Sequence, residues 1–69
     1  MSVYELSARE LYDTYVQGQE PAEVLAQGRE AIAQRLRVEE GLDQREAYYA
    51  ADQILVAAQR LRAGEPPPE

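Results

Sequence analysis

The stretch Glu39-Glu40-Gly41-Leu42-Asp43-Gln44-Arg45-Glu46 decides the fold, because it stops one helix and starts another within a few residues. Gly41 has no Cβ to clash in the left-handed conformation, so it ends a helix arriving from the N-terminal side. Asp43, with Glu46 three positions on, forms a capping box in which Asp43 accepts from the Glu46 backbone N–H and the Glu46 carboxylate reaches back. Leu42 stands just before the cap. A joint this short forces its two helices to be antiparallel or steeply crossed neighbours.

Downstream, a third helix is expected over about 44–62. From Ala47 to Ala58 only Asp52 and Gln53 are polar, ten apolar positions in twelve, more than one core-facing stripe absorbs. On a helical wheel Ala47, Ala50, Ala51, Ile54, Leu55, Ala57, Ala58 and Leu61 form a broad inner face with Tyr48 at its margin. Tyr49 and Val56, seven residues apart, fall on the opposite side among Asp52, Gln53, Gln59 and Arg60. Apolar groups at that spacing with polar flanks mark one seam of a helix–helix contact. The expected partner-binding set is therefore Tyr48, Tyr49, Gln53, Val56 and Arg60. Gly64 closes the helix, and Glu65-Pro66-Pro67-Pro68-Glu69 reads as a flexible polyproline II tail over 65–69.

Upstream, Pro21 suits the first position of a helix, and a second helix is expected over about 21–40. Val24, Leu25, Gly28, Ala31, Ile32, Leu36 and Val38 share one face of it. Gly28 within that face is expected to admit a neighbouring helix at close approach, with the helix continuing through it. Arg35 lies in the middle of the same apolar arc. Its stem is expected to cover the core while its head reaches a carboxylate or a tyrosine hydroxyl, which makes it a possible anchor for an acid on a partner.

Before the break at Gly18, Ser7 and Glu10 form another capping box, with Leu6 and Leu11 placed as a hydrophobic staple. Ala8, Leu11, Tyr12, Tyr15 and Val16 fall within one arc, so the first helix is expected over about 8–17. Tyr12 and Tyr15 belong to the core on this reading. Ser2 lies in a loose terminus, and Tyr4 either folds back on the first helix or covers the partner. The fold class is all-α: a compact three-helix bundle or an orthogonal three-helix array, one domain over 1–64.

Composition narrows the function. The 69 residues carry 13 acids and 7 bases, all arginine, for a net charge of 7 − 13 = −6, with no cysteine and no histidine. A chain this small draws only about 3–5 kcal/mol from one core and usually leans on disulfides, a metal or a partner subunit. Disulfides and thiolate metal sites are excluded, which raises the expectation of a homodimer or another protein partner. Without His, Cys or Lys, general acid–base work is left to carboxylates and five tyrosines, so no enzyme is expected. Ser2, Ser7 and Thr14 are the only hydroxyl nucleophiles apart from tyrosine: Ser2 lies in the loose terminus, Ser7 is occupied as a cap, and Thr14 has no base nearby in sequence. Glu39, Glu40 and Asp43 lack the alternating spacing of a calcium loop. The negative charge disfavours a phosphate backbone as ligand, and no apolar stretch approaches the roughly 20 residues that span a bilayer.

Together these features describe a small acidic protein–protein interaction module, a regulator, inhibitor or assembly adaptor of phage or bacterial type. It is expected in the cytoplasm as a homodimer, with an unidentified protein partner and with no cofactor, metal, membrane or small-molecule substrate. The alternative is a nucleic-acid-binding regulator: Ala31-Ile32-Ala33-Gln34-Arg35-Leu36-Arg37, a glycine turn and another helix superficially resemble a helix-turn-helix. Asp43 and Glu46, at the start of the would-be recognition helix, and the negative field oppose it.

Overall fold

A computed structural model describes residues 2–64. It is an all-α array of three helices: α1 (Ala8–Tyr15), α2 (Pro21–Glu40) and α3 (Gln44–Arg62), preceded by a short 3₁₀ turn at Val3–Glu5. The tail expected over 65–69 lies outside the described residues.

Local caps set most of the helix starts. Ser7 accepts from the Glu10 N–H at 3.1 Å while the Glu10 carboxylate takes the Ser7 N–H at 3.0 Å. At the α2–α3 joint, Asp43 and Glu46 repeat the exchange at 2.8 and 3.1 Å. Gly41 adopts φ 71°, and both its N–H and that of Leu42 are donated to the Leu36 carbonyl, which satisfies an end-of-helix acceptor. A third capping box starts the 3₁₀ turn, with Ser2 and Glu5 as the pair. Ser2 is therefore a structural cap rather than part of a loose end.

α3 is the central element, with α1, α2 and the 3₁₀ turn all packed on it. Ala47, Ala50, Ala51, Ile54, Ala57 and Ala58 are each fully buried. The excess of apolar residues in this helix is largely explained by that placement, because a helix covered on several sides needs more than one stripe. Small alanines let the neighbours come close. α1 contributes Ala8, Leu11 and Tyr12 to the same core, and ends at Tyr15, sooner than its periodicity suggests. Val16 leaves the helix to cap it and is buried, and Gln19 donates back to the Val16 carbonyl as the chain turns.

α2 departs from expectation. Gly28 has φ 83° and ψ 167°, far from helical values, so the helix is broken into arms at 21–27 and 29–40. A Cβ added at Gly28 meets nothing within 4 Å, so the glycine does not make room for a neighbouring helix; it makes a corner. The break resets the phase of the buried face. Val24 is buried in the first arm, and Ile32, Ala33 and Leu36 in the second, whereas Ala31 is exposed and Val38 is 75% exposed. Ala33 takes the inward place that an unbroken helix assigns to Ala31.

Candidate functional site

The residues expected to bind a partner are drawn together by α3, but two of them already have partners in their own chain. Tyr48 is half-buried at the α2–α3 joint, where its hydroxyl lies 2.8 and 2.9 Å from the two carboxylate oxygens of Glu30 and donates to that group. The Arg29 guanidinium sits over its ring, 4.5 Å from the centroid, and pairs with Asp52 at 2.7 and 3.3 Å. The hydrogen bond to Glu30 is the main reason the Tyr48 phenol titrates above its ordinary value near 10. Tyr48 thus contributes a ring face to the surface while its polar end is in use.

Tyr49 is covered by Tyr4: the rings meet edge to face, with centroids 4.9 Å apart and planes at 61°. The Tyr49 end of the expected Tyr49–Val56 ridge is partly covered within the chain, because the 3₁₀ turn lies on α3. Tyr4 packs on the third helix. It remains 46% exposed and becomes the outer aromatic of the pair. Along α3 from there, Gln53 is half-buried, Val56 is 37% exposed and Arg60 is exposed.

Arg35 does not behave as expected either. It is half-buried, but its head reaches neither a carboxylate nor a tyrosine hydroxyl. Nη1 is 3.5 Å from Gln27 Oε1, Gln27 in turn donates to Gln19 at 2.6 Å, and Arg35 Nη2 is buried without a partner. The phase reset at Gly28 moves Arg35 from the middle of the apolar arc to its edge, beside the first arm of α2.

Sequence reasoning named Tyr48 and Tyr49 but missed the other residues that line the depressions of the accessible surface. A shallow open groove of about 550 Å³ is lined by Arg29, Gln44, Arg45, Tyr48 and Tyr49. A second depression of about 570 Å³ takes in Gln34, Arg37, Val38, Leu42, Asp43 and Gln44. The Ser2–Glu5 capping box was the signal for Tyr4, since it has the same spacing as Ser7–Glu10 and orders the residues between its ends. Nothing local announces Arg29 and Arg45, which line one groove only because α2 folds back on α3. Among the described residues the ion pairs are Arg9–Asp13 and Arg29–Asp52, and Arg37, Arg45 and Arg60 have no acidic partner within 4.0 Å.

The tyrosines outside this face serve the core. Tyr12 is buried, and its hydroxyl donates to the Gln19 carbonyl at 3.1 Å. Burial raises its titration above the ordinary value, reinforced by the charges of Glu20, Asp13 and Glu23. Tyr15 is raised first by burial and then by Glu40 and Glu46. Among the described residues no helix is long and apolar enough to cross a membrane, and no three acidic side chains converge as a metal site. Comparison with protein-family models, with curated proteins and with solved structures finds no match to this chain.

Proposed function

We propose that this chain is a small protein-binding module. Its docking face runs along α3 from the Tyr4–Tyr49 pair and the Arg45 groove, through Gln53 and Val56, to Arg60. The observation that carries the reading is the half-exposed Tyr4–Tyr49 pair beside a groove lined by Arg29, Arg45 and Tyr48. Tyrosine and arginine are the residue types that dominate binding hot spots, because each offers a large apolar body together with hydrogen-bonding capacity. Arg45 and Arg60 have no acidic partner among the described residues, so an acidic surface suits them. Another copy of this chain, with net charge −6, offers such a surface.

The accessible surface of 4332 Å² is close to the ~4,400 Å² that a folded monomer of this mass exposes. Association on this face therefore adds to a surface already complete in one copy, the regime of small, weak and rapidly exchanging interfaces. The module works by binding, occluding or bridging, and no catalytic step is assigned to it.

A dilution series on isotope-labelled protein tests the reading. The amides of Tyr4, Tyr49, Gln53, Val56 and Arg60 are expected to shift continuously with concentration. In the double variant Arg45→Glu, Val56→Glu the shifts flatten while the helical circular dichroism is retained, since both side chains are exposed. Shifts confined to other surfaces, or none at all, would remove self-association through this face.

A further inference from the structure

The corner at Gly28 carries an inference that is independent of the outer face of α3. We propose that residues 2–27 exchange between two copies of this chain: α2 straightens through Gly28, and the inner face of α3 is covered by the N-terminal segment of a second copy. Several observations meet at this residue. Its φ of 83° and ψ of 167° fall in a region open essentially to glycine alone. The space around a Cβ there is empty, so backbone conformation and not packing is what the glycine provides. The side chains on either side of it are patterned for the straight form. In an unbroken helix Val24, Leu25, Gly28, Ala31, Ile32 and Leu36 share one face, with Val38 at its margin.

The bent form leaves Ala31 exposed and Val38 75% exposed, and it buries Arg35 Nη2 with no partner. Among the described residues a single side-chain hydrogen bond spans the two arms, from Arg35 Nη1 to Gln27 Oε1 at 3.5 Å, the outer limit of such a bond. The segment that would move is continuous in the chain: α1 and the 3₁₀ turn pack chiefly on α3 and are linked to the second arm through the first. Exchange re-forms the same contacts between copies, including Tyr4 on Tyr49 and Leu11 and Val24 in the core, so the second copy is the occupant that this surface fits.

Two substitutions push the corner in opposite directions. Alanine favours the helical conformation over glycine and opposes positive φ, whereas a D-residue accepts the observed φ. Gly28→Ala is expected to give twice the chain mass by light scattering, with helical circular dichroism retained. Gly28→D-Ala, made by chemical synthesis, is expected to stay at single-chain mass at every concentration. In a mixture of two differently labelled pools of Gly28→Ala, refolded together, intermolecular contacts between the Tyr4 and Tyr49 rings are expected by nuclear Overhauser measurement. A folded single-copy Gly28→Ala, or one unfolded at all concentrations, overturns the proposal. So does a Gly28→Ala dimer without intermolecular Tyr4–Tyr49 contacts, and so does a D-alanine variant that dimerises as readily as the parent. The exchanged dimer forms and dissociates slowly and gives separate resonances, so its absence is read separately from the continuous shifts that report on the outer face.

Discussion

α2 and α3 have almost the same length, 20 and 19 residues, and both read from the sequence as unbroken amphipathic helices, yet only α3 is unbroken. α3 is pinned by α1, α2 and the 3₁₀ turn, and its buried alanines keep one phase from Ala47 to Ala58. α2 must bury two short stripes, Val24 in one arm and Ile32, Ala33 and Leu36 in the other, and it does so by turning at Gly28. Periodicity shows that a segment is helical and which residues are apolar on one side. Whether the segment is one rigid rod depends on what covers it.

The largest way to break this contrast is to open a hole in the pinned helix. Ile54→Ala removes a fully buried side chain from the centre of α3, and a loss of about 2–5 kcal/mol is expected, measured as a collapse of the urea midpoint. A loss under about 1 kcal/mol would mean that α3 relaxes as readily as α2 and that its packing is not what keeps it continuous.

The joint between the two helices comes next. Gly41→Ala places a Cβ at φ 71° and is expected to cost about 1–2 kcal/mol by the same measurement. Asp43→Ala deletes the cap on Glu46 N–H and is expected to cost about 1 kcal/mol, with little change in the melting of α2 residues by amide exchange. The sharpest result would be a Gly41→Ala effect on both helices and an Asp43→Ala effect confined to the start of α3.

The pH response sharpens the comparison at the α2–α3 contact itself. The Tyr48 phenol is raised above its ordinary value, first by its hydrogen bond to Glu30. The folded state therefore keeps this proton longer than the unfolded chain does. Its stabilising contribution is fully present below about pH 10 and is lost as the pH climbs through the folded-state value. Tyr12 and Tyr15 act in the same direction through burial. The urea midpoint is expected to fall above about pH 10, and Tyr48→Phe is expected to make that fall shallower while leaving the neutral-pH helical signal intact.

The smallest effect is expected at the apolar residue that the bend leaves outside. Val38→Ser, at a side chain 75% exposed, should change stability by less than about 0.5 kcal/mol in either direction. A loss above about 1 kcal/mol would show Val38 buried in solution and the second arm of α2 packed in a different phase.

Much of the proposed docking face was legible as a set of positions but not as a surface. The i, i+7 relation of Tyr49 and Val56 follows from the helix alone, and both do stand away from the most buried side of α3. That Tyr49 is capped by Tyr4 and that Tyr48 is tied to Glu30 and Arg29 depends on partners 45, 18 and 19 residues away in the chain. Arg35 shows the same limit from the other side. Its place on a wheel is right for an unbroken helix, and one backbone conformation at Gly28 moved it to an edge.

The sequence by itself determined the parts that close over a few residues: the capping boxes Ser7–Glu10 and Asp43–Glu46, the stop at Gly41, and hence three helices in a fixed order. Each is a contest between neighbouring backbone and side-chain groups, so short spacings encode it fully. Only the tertiary structure decided the corner in α2, the burial of Ala33 in place of Ala31, the orphaned Nη2 of Arg35 and the aromatic pair on α3. Glycine leaves the backbone at position 28 nearly free to choose, and the choice falls to the apolar surface that distant elements bury together.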